Sequence, residues 1–464
     1  MASKEKAAQA KLPKRILFIH PDLGIGGAER LVVDAAVGLQ DRGHSVTIYT
    51  SHCDPRHCFD EARNGTLEIH ISGDTIVPPN LLGRFSILCA ILRQLHLTLA
   101  LLTSSQLSNY DYVFVDQLSA CIPLFRLFSP RTKILFYCHF PDYLLTSRQS
   151  LIKSLYRIPF DWLEAATTGL ADTIVVNSAF TKSVFADAFP QIQTVPRVVY
   201  PCVSIPPSGR LNRRVDSALD SETDFLPQDG KKILLSINRF ERKKNIDLAI
   251  RAFAHLTDKE RTRSRLVIAG GYDSRVSENV AYHAELVYLC EKLELKSATS
   301  KNFISSLSIP ADTDVLFLLS IPASLKSHLL KTASLLCYTP AREHFGIVPL
   351  EAMLAGVPVL AHNSGGPLET VSEGVTGWLR PAEEEAWAAV MRKALFELQP
   401  DQVREMGRMG KERVVAEFSK EKMAERLDGE FDGIVRTQEV KVAWLWIILG
   451  VAGVVVGFST ALAW

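Results

Sequence analysis

The chain has almost no net charge: 52 lysines and arginines face 51 aspartates and glutamates, leaving +1 over 464 residues. That balance gives no support for nucleic-acid binding by bulk charge. Cysteine is sparse, with eight residues scattered at 53, 58, 89, 121, 138, 202, 290 and 337, several inside apolar strand-like runs. No disulfide framework is legible there; buried reduced thiols in a cytosolic setting fit better. Only His52-Cys53 and His57-Cys58 have metal-like spacing. No second ligand pair completes a set, so the reading is a polar loop and no metal. The N-terminus, MASKEKAAQAKLPKR, has no hydrophobic signal core. Nor is there a dinucleotide fingerprint. The first strand, RILFIH, leads to Gly24, Gly26 and Gly27, but position 29 is Glu29, and no acidic residue ends the next strand, Ser45 to Thr50. A nicotinamide cofactor does not fit.

One long charge-free run is present, VAWLWIILGVAGVVVGFSTALAW at 442–464. As a helix its 23 residues would reach roughly 34 Å, enough for a bilayer core. Trp444, Trp446 and Trp464 sit where interfacial aromatics belong, with Arg436 and Lys441 just before the run. The expectation is a C-terminal transmembrane helix with the rest of the chain on the cytosolic side. Leu81 to Leu102 is apolar too but carries Arg84, Arg93, Gln94 and His96. It reads as an interfacial or a core helix.

The remaining length suits two α/β domains of about 200 residues each. The first, 14–203, opens with the buried strand and the Gly26-Gly27 loop, where bare backbone can approach a ligand. Tyr112 to Asp116 and Ile134 to Tyr137 are further strands. The second runs into Cys138-His139-Phe140-Pro141-Asp142, so His139 emerges at a strand's carboxyl end, where α/β sites lie. Residues 204–230, rich in Pro, Ser, Gly and Asp, read as linker and surface loop. A second strand–helix series fills 231–430. Its first strand, ILLSI, is followed by Arg239, Arg242, Lys243 and Lys244 just before a helix, a placement that suits phosphates. Asp312-Thr313-Asp314 lies before a strand, at its amino end, and is assigned to surface or capping duty.

The densest stretch is Ser334 to Pro367. The strand at Leu335 to Tyr338 breaks at Thr339-Pro340 into a polar loop. Gly346 opens a helix from Ile347 to Leu354 that Gly356 ends, and a strand at Val357 to Ala361 leads to a second glycine loop before Pro367. Two helix N-termini then face one sheet edge, a natural anion site. Glu343 lies in the loop and Glu351 on the helix, with seven residues between them. The expected ligand is phosphorylated and rich in hydroxyls.

Together these pieces resemble the retaining glycosyltransferases of the GT-B type, over nearly all of residues 15–430. Glu343 and Glu351 in E-x7-E, with Arg239, Lys244 and Gly26-Gly27 in the right order, carry the likeness. The phrases GIGGAERLVVDAA, HFPD, RFERKKNIDLAI and EHFGIVPLEAMLAG look like the mannosyltransferases of dolichol-linked oligosaccharide assembly. The resemblance implies two Rossmann-like, doubly wound domains facing across a cleft. It implies GDP-mannose as donor, no metal, and a mannosylated chitobiose diphosphate-dolichol acceptor extended by an α-1,3 and then an α-1,6 mannose. It also implies the cytosolic face of the endoplasmic reticulum membrane, with other early mannosyltransferases as partners. Arg239 and Lys244 would hold the diphosphate, with backbone amides at Phe345, Gly346 and Ile347 beside them. Glu351 would bind the ribose, Glu343 the transferred sugar near its anomeric carbon, and His139 the mannose, while Gly26 and Gly27 would admit the diphosphate. The residues alone leave two alternatives open: a related transferase using UDP-glucose or UDP-N-acetylglucosamine, and a catalytically silent membrane scaffold.

Overall fold

A computed structural model describes residues 12–80, 85–104, 106–145, 151–205, 229–300, 309–434 and 450. Most of the expected linker (206–228) and, apart from Gly450, the apolar run at 442–464 lie outside the described residues. The chain divides into two compact units, Met1–Tyr200 with Lys420–Trp464, and Pro201–Ser419.

The first unit is built on a seven-stranded parallel sheet of order β3-β2-β1-β4-β5-β6-β7. Its strands are β1 (Arg15–Asp22), β2 (Ser45–His52), β3 (Glu68–Ile71), β4 (Tyr112–Asp116), β5 (Lys133–Cys138), β6 (Thr173–Val176) and β7 (Arg197–Val198). A parallel sheet covered on both faces needs near-continuous apolar strands. ILFI in β1 and VFV in β4 meet that need, and their residues are fully buried. Helices α1 (Gly27–Asp41), α2 (Ser86–Thr103) and α3 (Leu151–Thr168) belong to this unit. Among the described residues α2 is one helix long and apolar enough to cross a membrane. Its polar residues nevertheless turn inward. Arg93 pairs with Asp22 at 3.1 Å, and Gln94 Nε2 donates to the Leu118 carbonyl at 2.7 Å. A helix that buries its polar groups in this way is packed as part of the unit's core.

The second unit repeats the plan, with order β10-β11-β9-β8-β12-β13-β14. The strands are β8 (Lys232–Ile237), β9 (Ser264–Gly270), β10 (Ser297–Ser300), β11 (Val315–Leu319), β12 (Ala333–Tyr338), β13 (Val359–His362) and β14 (Gly377–Arg380). Every residue of β9 and β11 is buried. Helix α4 (Ala323–Thr332) joins β11 to β12, and α5 (Ile347–Leu354) joins β12 to β13. All eight cysteines are free and buried, in keeping with reduced thiols.

Two expectations need correction. The second domain does not run to residue 430, because helix α6 (Lys420–Asp432) belongs to the first unit, where Asp428 meets Lys14 and Arg42. The glycine loop before Pro367 does lead into a helix with Pro367 in its first turn, but its N-terminus adds little as an anion site. Pro367–Thr370 is a four-residue helix, too short to build up a dipole.

Candidate active site

In the first sheet the strand order reverses between β1 and β4, the place where an open α/β sheet leaves a crevice at its carboxyl edge. Ile19 pairs with Val115, and Asp116 with Tyr137, so His20 and His139 fall on either side of Asp116. Both histidines reach it. His20 Nδ1 lies 2.8 Å from Oδ1, and His139 Nε2 lies 3.1 Å from Oδ2. The other ring nitrogen of His20 donates to the Asp22 carbonyl at 3.0 Å. Burial works against a charge on His20, but the charge and hydrogen bond of Asp116 outweigh it and raise its pKa. Burial likewise works against the Asp116 carboxylate, and the two imidazoles still hold its pKa down. His20 and Asp116 are sealed, whereas His139 keeps a fifth of its side chain exposed. The His139 ring leans on Tyr137 at 4.9 Å, and Asn177 Nδ2 donates to its carbonyl at 2.9 Å.

The loop after His139 is held from below. Glu164, on α3, accepts the backbone N–H groups of Asp142 and Tyr143 at 2.8 and 3.0 Å. Burial, and then the charge of Asp142, push its carboxyl up to about 7. The sequence singles out His139 alone. His20, Asp116 and Glu164 escape it because strand order and helix packing bring them together.

Gly26 caps α1 and Gly27 begins it. A methyl group on Gly27 would meet no atom within 4 Å, and one on Gly26 would meet only the movable Glu29 side chain. The packing demands glycine at neither place.

The second sheet reverses between β8 and β12. Lys244 follows β8 and Glu343 follows β12, and the switch point brings them together with Nζ 2.5 Å from Oε2. The Thr339 hydroxyl donates to the Lys244 carbonyl at 2.7 Å and fixes the basic loop to the end of β12. Arg239 lies in the same loop, more than half exposed and 2.9 Å from Glu241. Arg242 turns away to Glu285. Of the four basic residues, Lys244 is the one that reaches the motif glutamate.

Gly346 caps α5 at φ 87, a left-handed conformation that suits glycine. Phe345 is buried, and the first-turn N–H groups from Ile347 onward have no intrahelical acceptor. Gly365, at φ 69, and Gly366 lie so close to the Glu343 and Phe345 backbone that a Cβ on either would clash. The second glycine loop therefore braces the first, and the Gly366 N–H donates to the Glu343 carbonyl at 2.7 Å. Tyr338 lies beneath Gly346. Burial, then the charges of Glu343 and Glu351, push its hydroxyl well up, so it stays protonated. Glu351, one helical flank further in, pairs with Lys326 of α4 at 2.6 Å. The sequence gives no hint of Lys326. The Asp312–Asp314 pair lies apart from this group and binds Lys296, in keeping with surface duty.

Two doubly wound sheets with cations and motif glutamates gathered at a carboxyl edge define a glycosyltransferase of the GT-B fold. Residues 25–205 match the model described as Glycosyltransferase Family 4, and residues 220–413 that of Glycosyl transferases group 1. Among solved structures, a glycosyltransferase from Rickettsia africae superposes with a TM-score of 0.65 at 16% identity, covering 92% of this chain and all of that one. Sucrose-phosphate synthase from Thermosynechococcus elongatus gives 0.65 at 20% identity, covering 90% and 98%. Sequence relatives are far nearer. Alpha-1,3/1,6-mannosyltransferase alg-2 of Neurospora crassa is 52% identical over 97% of each chain. Alpha-1,3/1,6-mannosyltransferase ALG2 of Saccharomyces cerevisiae is 45% identical over 95% of this chain and 88% of its own. The chain belongs to the family of α-1,3/1,6-mannosyltransferases.

Proposed function

We propose that this mannosyltransferase moves mannose from GDP-mannose to a mannosyl-chitobiosyl-diphosphodolichol, first α-1,3 and then α-1,6, on the cytosolic face of the endoplasmic reticulum membrane. The observation that carries the reading is the Lys244–Glu343 pair at the switch point of the second sheet. An ammonium there, beside the first-turn amides of α5, suits a diphosphate, and the neighbouring carboxylate suits sugar hydroxyls.

In this reading Lys244, with Arg239, holds the donor diphosphate and offsets the charge that builds on it as the glycosidic bond breaks. The backbone at Phe345, Gly346 and Ile347 adds donors. Glu351 takes the ribose and Glu343 the transferred sugar, while His139, steadied by Asp116, hydrogen-bonds the mannose. Gly26 and Gly27 leave room for the diphosphate. The anomeric carbon loses its bond to the phosphate oxygen and gains one to the acceptor oxygen on the same face. The departing phosphate oxygen takes the acceptor's proton, and configuration is retained. Fixed cations and a helix dipole do the work a metal would otherwise do. The run at 442–464 anchors the enzyme beside its lipid acceptor.

The test is a donor panel with mass analysis of the products. Transfer from GDP-mannose to the lipid-linked acceptor is expected, with Glu343→Ala slowing it at least 100-fold, about 2.7 kcal/mol. Incorporation from UDP-glucose or UDP-N-acetylglucosamine alone would overturn the donor, and undiminished transfer by Glu343→Ala would move the chemistry elsewhere.

A further inference from the structure

Glu351 has a partner from outside its own motif. Lys326 Nζ lies 2.7 Å from Oε1 and 2.6 Å from Oε2. Only the first contact is aligned as a hydrogen bond. Oε2 is buried and meets the same ammonium as an ion-pair contact without an aligned hydrogen bond. Both side chains are mostly covered, at 31% and 25% exposed. A glutamate on a helix flank has several rotamers open to it, and an ammonium across both oxygens selects one. The same ammonium offsets a second negative charge in a group that already holds Glu343. What remains is a carboxylate held across both oxygens by one ammonium. A carboxylate oxygen has more than one acceptor site, so the pair leaves Glu351 able to accept a hydroxyl as well.

We infer that Lys326 is a positioning residue for nucleotide recognition: it holds the Glu351 carboxylate in the orientation that receives a ribose hydroxyl. The inference rests on the reading of Glu351 as the ribose ligand. Lys326 acts through Glu351, and so differs from Lys244, whose charge meets the diphosphate directly.

The full chain is tested by calorimetry with GDP and 2′-deoxy-GDP. The wild type is expected to prefer GDP by about tenfold. Lys326→Met should bring that ratio close to one, and Lys326→Arg should restore most of it. Lys326→Gln is a second neutral variant that repeats the comparison if methionine costs folding. In a Glu351→Gln background, Lys326→Met should weaken GDP no further, because the two residues act as one unit. An undiminished ribose preference in Lys326→Met and Lys326→Gln would overturn the inference. An equal loss in the Glu351→Gln background would also overturn it, by making Lys326 a direct ligand. A wild type that binds no GDP would bring down the ribose reading and this inference together. A wild type that binds GDP while the variants keep its ribose preference removes Lys326 alone.

Discussion

Asp116 serves two imidazoles at once, and the consequences are electrostatic. His20 has a raised folded pKa, so its contribution to stability is complete below the ordinary imidazole value and fades as pH rises through the raised one. Asp116 has a lowered one, so its contribution is present above the ordinary carboxylate value and fades only as pH falls through the folded one. The melting temperature is therefore expected to decline as pH rises from the ordinary imidazole value through the raised one and His20 loses its proton. Asp116→Asn should flatten that slope and cost roughly 3 kcal/mol, since it leaves a buried histidine without its charge partner. Calorimetric melting across that range checks both. An equal slope in the variant would mean that another group titrates. Asp116 ends an apolar strand, His20 lies near the end of its own and His139 follows its own, and that is the trace they leave in the sequence. The separation of 96 residues from His20 hides the meeting until strand order is known.

Helix α6 shows how an element can be legible while its place is not. Its helical pattern is plain in the sequence, but its allegiance is set by one buried carboxylate. Asp428 receives Lys14, Arg42 at 2.9 Å and His44 Nε2 at 3.0 Å, and Lys14 also reaches Asp432 at 2.7 Å. His44 Nδ1 accepts the Lys14 backbone N–H, so Nε2 carries the ring proton and donates it to Asp428. Burial, chiefly, lowers the His44 pKa and keeps the ring neutral. Asp428→Ala should cost roughly 3 kcal/mol, because it strands buried donors. Removing the exposed Lys420–Asp41 pair by Asp41→Ala should cost about 0.5 kcal/mol or less. Denaturant midpoints of the two variants measure the difference, and similar losses would contradict it. The glycine loop before Pro367 is another feature whose role the sequence hides. Its glycines look like a ligand loop in sequence, whereas their neighbours are protein backbone.

Taken whole, the molecule has two α/β units whose strands are legible because parallel sheets require buried apolar runs. Glu343, Glu351 and Lys244 were legible as well, since each lies within a few residues of a strand end or helix start. Lys326 and Glu164 were not, because each meets its partner through tertiary packing alone. The membrane anchor proposed at 442–464 rests on composition alone. Deleting it should shift the protein from the membrane to the soluble fraction and leave GDP affinity within about twofold, since none of the proposed donor ligands belongs to it. Sedimentation and calorimetry together check this, and a truncated chain that still sediments with membranes would assign attachment to another segment.

The account stands or falls on the Lys244 ammonium as the donor's diphosphate ligand. Titrating GDP into wild-type and Lys244→Ala protein measures that directly. At least a tenfold loss of affinity, about 1.4 kcal/mol, is predicted; equal affinity in the two proteins would contradict it.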